Sequence, residues 1–182
     1  ATESVARLLR IITPVETETD PTWQSRTAVF DFSCVQQGIQ GYMWDFPCYK
    51  NGKPSMNRGI FDSRIHPAAD TDEKQPHGHF KNTFENWLSD SRVNLDEHQL
   101  YGHPVRWFDR NAEFSRPHIL LAGDAAGVDA LFAEGISYAM EYGDVIADVV
   151  CDAFRRDDFS FTDYRERLLE RRLGKLLMRR GW

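Results

Sequence analysis

Apolar positions along the chain change period several times, and each change marks an element. Val5, Leu8, Leu9 and Ile12 recur at helical spacing up to Pro14, which predicts a short opening helix. Between Arg26 and Cys34 the period tightens to two: Ala28, Phe30, Phe32 and Cys34 alternate with Thr27, Val29, Asp31 and Ser33, as on a half-buried strand. Gly38 marks a turn. A second strand from Ile39 to Phe46 puts Tyr42, Trp44 and Phe46 on one face, and Pro47, which has no ladder donor, is expected to end it. Asn51-Gly52 has the composition of a tight hairpin turn, and a third strand over Met56 to Asp62 completes an antiparallel meander with one face free to bind a ligand.

Downstream, Phe80, Phe84, Trp87 and Leu88 predict a helix over 79–89, and short strands are expected over Val105 to Phe108 and His118 to Ala122. From Gly135 a long amphipathic helix is predicted. Ile136, Ala139, Met140, Gly143, Ala147, Val150, Cys151 and Phe154 form its apolar face, opposite Ser137, Glu141, Asp144, Asp148 and Asp152. A final helix spans roughly Phe161 to Arg179. The fold class is α+β, divided as 1–14 (helix), 15–110 (sheet region), 111–155 (Gly-Asp turn and long helix) and 156–182 (final helix).

Composition narrows the partners. A net charge of -6 disfavours broad contact with a phosphate backbone, so nucleic acid is not an expected partner. No apolar run approaches the roughly 20 residues that span a bilayer, and no secretory pattern opens the chain, so a cytoplasmic protein is expected. Cys34, Cys48 and Cys151 are too scattered for a disulfide framework or zinc ribbon. His77 and His79 lack further ligands at metal spacing, and a solvated turn is the simpler reading.

The richest chemistry lies in Ile119-Leu120-Leu121-Ala122-Gly123-Asp124-Ala125-Ala126-Gly127, a buried strand running into a turn of small residues that admit close approach of a ligand. Gly135-Ile136-Ser137 follows as a helix start, whose unpaired N–H groups and positive dipole end suit an electron-rich atom. Asp124 can accept hydrogen bonds from the hydroxyls of a sugar-like chain. The run from Gly123 to Gly127, with Glu134-Gly135-Ile136 and Tyr138-Ala139, resembles the second flavin fingerprint of the para-hydroxybenzoate-hydroxylase-like flavoproteins. The resemblance implies FAD, with Asp124 on its ribityl hydroxyls, the start of the Gly135 helix at the N1/C2 carbonyl edge of the isoalloxazine, and Gly123, Ala125, Ala126, Gly127, Ile136 and Ser137 beside them. The family usually has a proline where Ala130 stands.

Gly41-Tyr42-Met43-Trp44-Asp45-Phe46-Pro47, with Asn57-Arg58-Gly59-Ile60 after a turn, resembles the Y-x-W-x-F-P strand and its partner in the geranylgeranyl reductase family. That resemblance implies reduction of carbon–carbon double bonds in an apolar or isoprenoid substrate lined by Tyr42, Trp44 and Phe46, with NAD(P)H as a candidate electron donor. The family pattern closes with a G-x-G soon after the proline, whereas Asn57-Arg58-Gly59 has no second glycine and the hairpin is longer, and Arg58 would bring a charge to the site if it faced inward. An aromatic-ring monooxygenase is the alternative within flavoproteins, and a non-catalytic ligand-binding module the alternative outside them. The proton donor stays open among Tyr42, Cys48 and solvent, so no catalytic residue is assigned. The G-x-G-x-x-G turn of a dinucleotide fold is absent, so the chain is expected to be the later part of a longer enzyme, missing its N-terminal FAD-binding portion. Arg165, Arg167, Arg171, Arg172, Lys175, Arg179 and Arg180 give the final helix a basic character: a solvated face, or peripheral membrane contact beside Leu168, Leu169, Leu176 and Leu177.

Overall fold

In the computed structural model, which describes residues 5–64, 79–129 and 131–180, the turn at Asn51 and Gly52 sets the register of the main sheet. Both residues have positive φ, 54° and 75°, as a tight hairpin turn requires. They join β3 (Gly41–Lys50) to β4 (Lys53–Asp62), paired antiparallel from Lys50↔Lys53 to Gly41↔Asp62. β2 (Val29–Asp31) pairs with the other side of β3, which gives the predicted meander. β1 (Val5–Pro14) continues the sheet antiparallel to β4, and β5 (Tyr101–Arg106) closes the order β2-β3-β4-β1-β5.

Val5–Pro14 is therefore a strand, not the helix that its spacing suggested. The physical reason is its central place in the sheet: both faces are partly covered, so the period-two alternation blurs, and the β-branched Ile11, Ile12 and Thr13 favour extended backbone. The first predicted strand shrinks to β2, because the Asp31 carboxylate accepts the Ser33 amide (2.8 Å) and turns the chain into a 3-10 helix, Ser33–Gln37, with Cys34 buried inside. Pro47 does not end β3. Pairing with β2 stops at Asp45, so on that side Pro47 faces no neighbour that needs its donor.

One face of this sheet is covered by α2 (His79–Asp90), which replaces the predicted 79–89 helix almost residue for residue. Its Phe80, Phe84 and Leu88 join Ile11, Cys34, Ile39, Met43 and Ile60 in one core. Burial, with Asp31 nearby, pushes the Cys34 thiol up to about 11. At one end of the sheet Arg58 is buried with Asp45, Thr13 and Asp20, the N-cap of α1 (Pro21–Ser25). Arg58 Nε stands 3.1 Å from Asp45 Oδ1, at an angle that makes it an ion contact rather than a hydrogen bond. Burial raises the Asp45 carboxyl, and Arg58 offsets part of that rise.

The chain forms two compact units, residues 7–104 and residues 1–6 with 105–182. In the second, β6 (Ser115–Arg116) and β7 (Ile119–Leu120) form a small hairpin, shorter than the predicted 118–122 strand, before the Gly123 turn. Three helices follow instead of two: α3 (Ile136–Arg156), α4 (Tyr164–Glu170) and α5 (Arg172–Arg180). The break falls at Arg171, whose ψ of 162° is extended, and a side chain at Gly174 would meet the Leu168 carbonyl at 2.2 Å. Leu168, Leu173 and Leu177 are buried in this unit's own core, with Leu169 and Leu176 partly buried against it. Among the described residues no helix is long and apolar enough to cross a bilayer.

The wall of Tyr42, Trp44 and Phe46 depends on a glycine: a Cβ at Gly59 would fall 2.1 Å from the Trp44 ring and 2.6 Å from the Leu9 carbonyl. Gly59→Ala should therefore lower stability by about 2 kcal/mol or more through overpacking. Gly102→Ala, whose nearest neighbour is 3.4 Å away, should change it little. Urea unfolding of both variants checks the contrast.

Candidate functional site

The strand–turn–helix segment that carries the flavin-like motif is held by polar groups buried in its own unit. Leu121 N–H donates to the Phe114 carbonyl (2.9 Å), and Val128 exchanges backbone bonds with Arg106 and Phe108 (3.0 and 2.9 Å). Two fully buried phenols tether the intervening carbonyls: Tyr164 Oη donates to Leu121 O (2.8 Å) and Tyr142 Oη approaches Gly127 O (3.5 Å). Burial pushes Tyr164 up to about 12 and Tyr142 well above the ordinary phenol range, so both remain neutral donors. The turn itself, Gly123–Ala125, is a 3-10 helix. Gly127 has φ 103°, and a side chain there would meet the backbone of Trp107 and Phe108 at 2.7 Å, so glycine is required.

Asp129, not named among the expected site residues, organises the next loop. Its carboxylate is 1% exposed and accepts three backbone amides, from Leu131 (3.0 Å), Phe132 (2.9 Å) and Glu134 (2.7 Å). This folds the chain back so that Gly135 starts α3 beside the turn. A Cβ at Gly135 would stand 2.8 Å from Asp124 Oδ1. The structure thus brings Asp124 and the helix start together, as the motif implies. The Asp124 side chain is exposed and has no hydrogen bond or ion pair among the described residues. Of the helix-start amides, that of Ser137 is already taken by Glu134 Oε1 (3.1 Å), whereas that of Ile136 has no acceptor among the described residues. Ala126 is buried under the turn and Ala125 is exposed beside Asp124. Ala130, where the family's proline stands, lies outside the described residues.

The predicted faces of α3 are corrected. Tyr138, Tyr142, Val145, Val149 and Ala153 are buried, while Ile136, Met140, Cys151 and Phe154, expected to face a core, are exposed. The phenols and their acceptors decide this, because turning the helix would strand Tyr142 and the Gly127 carbonyl.

In the other unit Tyr42, Trp44 and Phe46 do share a face, with ring centroids 6.1 and 6.2 Å apart along the strand. Phe30 packs against Tyr42 and Phe46 (5.2 and 5.0 Å), and Phe61 against Tyr42 (5.5 Å). Trp44 Nε1 donates to Asn57 Oδ1 (3.2 Å), which fixes the indole. Tyr42 and Trp44 are each only 7% exposed. Arg58 alternates to the opposite face, so its charge does not reach this wall. Cys48 carries a thiol raised by burial. No group of three or more metal-ligating side chains occurs among the described residues. His77 lies outside them, and His79 Nε2 donates to the Gln37 carbonyl (2.7 Å).

No protein-family model and no curated protein matches this sequence. Among solved structures, the chain is similar over its whole length to a geranylgeranyl bacteriochlorophyll reductase-like protein from Thermoplasma acidophilum, with TM-score 0.62 and 21% identity. That likeness establishes the fold. The chain spans 41% of the length of that relative.

Asp129→Ala should cost about 3 kcal/mol, since three amides lose a carboxylate acceptor that aspartate alone supplies in this loop. Asp129→Asn, which keeps one oxygen, should fall between. Denaturant unfolding gives the energies, and hydrogen exchange at 131–134 should quicken with them.

Proposed function

We propose that this chain is the flavin-side and substrate-side portion of an FAD-dependent oxidoreductase of the reductase type, acting on double bonds of an apolar, isoprenoid-like substrate. The observation that carries the reading is the Asp124 carboxylate, unpartnered among the described residues, beside Gly135 at the start of α3, a space that a Cβ at Gly135 would occupy. An exposed acceptor next to a helix start suits a ligand bearing hydroxyls on one part and an electron-rich edge on another. Asp124 would accept the ribityl hydroxyls, and the Ile136 amide would face the carbonyl edge of the ring. Gly123, Ala125, Ala126 and Gly127 keep the turn low enough for close approach. When bound, FAD supplies hydride chemistry that no side chain of this protein can provide.

The protein's own contribution is positioning and exclusion of water. Tyr42, Trp44 and Phe46, stiffened by Asn57 and Gly59, form an apolar wall that matches a hydrocarbon better than a charged substrate. The charge of Arg58 is neutralised behind that wall by Asp45 and Asp20. The reading includes a parent polypeptide that supplies the adenosine-binding portion, with NAD(P)H as the proposed source of reducing equivalents.

The 182-residue chain should bind FAD only weakly, because the groups above address one half of the cofactor. Titration with FAD, followed by quenching of flavin fluorescence, should give no stoichiometric end point at micromolar protein, and tight binding by this chain would overturn that account. In the parent protein, Asp124→Ala should weaken flavin retention about 10- to 100-fold, the loss of one charge-assisted hydrogen bond. Unchanged flavin content and turnover would sink the flavin reading. Product formation that requires oxygen would replace a reductase with a monooxygenase.

A further inference from the structure

From Phe32 to Trp44 the chain carries no charged residue, although charged residues make up 27% of the whole. The stretch begins at the outer edge of the main sheet, where β2 is the last strand and runs into the 3-10 helix Ser33–Gln37. Cys34 turns into the core. Phe32 and Val35, joined by a backbone bond across the first turn and three apart in a helix that eclipses that spacing, share the other side. Phe30 stands beside them, since Phe30 and Phe32 both lie against the Tyr42 ring, at 5.2 and 5.8 Å. Phe30, Phe32 and Val35 are 47%, 49% and 53% exposed. Asp31, between the two rings in sequence, alternates to the opposite face, where Trp87 Nε1 donates to it (2.9 Å). A single exposed apolar side chain is ordinary, but three together with no charge among them mark a contact surface.

The rim of the patch narrows the choice of occupant. Ser33, Gln36 and Gln37 are exposed around it and are neutral, so no ion loses its water when the patch enters an apolar phase. Ester and phosphate oxygens of a lipid headgroup layer can accept from such hydroxyl and amide donors while the rings sit at the acyl boundary. The patch also runs into the aromatic wall. Phe30 packs on Phe46 as well as Tyr42 (5.0 Å), so a hydrocarbon chain leaving a bilayer would stay on apolar surface from Phe30 to Trp44. A second copy fits less well. Half-exposed, the three side chains present about 300 Å² between them, against about 800 Å² per partner in a stable protein interface.

We propose that Phe30, Phe32 and Val35 form a membrane-entry surface, inserting shallowly at the edge of a bilayer so that the lipid-like substrate passes directly onto the Tyr42–Trp44–Phe46 wall. The proposal rests on the apolar substrate of the preceding section and adds to it the phase from which that substrate arrives. Burial of apolar surface drives the contact, so a zwitterionic bilayer suffices, and the net charge of -6 disfavours an anionic one. The other surface suited to a membrane, the exposed Arg172, Lys175 and Arg179 of α5, has the reverse requirement. It needs anionic lipid and low salt.

Vesicle flotation separates these cases. The 182-residue chain and the product of the complete open reading frame would each be floated with pure phosphatidylcholine vesicles and with vesicles containing phosphatidylglycerol, at low and high salt. The expected result is co-flotation of both proteins with phosphatidylcholine, unaffected by salt. Phe30→Ser with Val35→Ser should weaken partitioning about 10-fold or more, and Val35→Trp, which enlarges the patch without touching the core, should strengthen it about 3-fold at an unchanged unfolding midpoint. No flotation with phosphatidylcholine overturns the proposal. So does flotation confined to phosphatidylglycerol at low salt, which assigns the contact to α5. Flotation of the short chain alone overturns it too, because further polypeptide then covers the patch, and flotation lost as protein concentration rises overturns it in favour of a second copy. Flavin content of the complete product, measured alongside, keeps the two readings apart: flotation without flavin leaves the entry surface standing and removes the flavin reading, and flavin without flotation does the reverse.

Discussion

The two buried phenols, Tyr142 and Tyr164, constrain the candidate site more than any other groups. Their hydroxyls hold the carbonyls of Gly127 and Leu121, one at each end of the small-residue turn. A buried carbonyl without a donor costs more than a hydrogen bond returns, so these contacts specify position more than they add stability. Tyr142 fixes which side of α3 turns inward, with Ala139 close to Gly123, while Tyr164 holds the strand that enters the turn. The exposure of Ile136 and Phe154 is the other consequence of the same choice, because rotating α3 to bury them would give up the Tyr142 contact.

Asp129 solves a second local problem. Between the turn and α3 the chain must reverse within a few residues, with Ala133 at φ 52°, and the amides along that reversal need acceptors. One carboxylate serves three of them, and the Glu134 side chain caps the helix one step later. Asp124 is thereby left free of structural duty. That carboxylate, without a side-chain partner among the described residues, is what the proposed cofactor site rests on.

The aromatic sheet follows a similar division. Trp44 lies over Gly59 and is pinned by Asn57, while the charges carried by the alternate positions, Asp45 and Arg58, meet on the opposite face. Period-two alternation lets one strand pair hold an apolar wall and a buried ion pair at once. Asn57 belongs to this wall because its amide oxygen serves the indole.

Much of this was legible from local pattern. The Asn51-Gly52 turn, the β3–β4 pair, α2, and the sequence Gly-Asp turn then glycine-started helix depend on neighbouring residues, and local chemistry specifies them. Tyr42, Trp44 and Phe46 share a face because alternation alone requires it. Other features needed distant partners. Val5–Pro14 became a strand through pairing with β4, some fifty residues away, and both-sided cover erased the alternation that would have identified it. The inward face of α3 was decided by the Gly127 carbonyl of a turn earlier in the chain, which a helical wheel does not contain, so Tyr138 and Tyr142 face the core with Val145 and Val149 while Ile136 and Met140 stay exposed. Asp129 looked like one more loop acid until the backbone folded around it. Sequence determined the elements and the chemistry available at Asp124 and Gly135. Tertiary structure decided which faces that chemistry and that apolar surface were turned to, because hydrogen-bond satisfaction of buried groups is settled between elements and not within them.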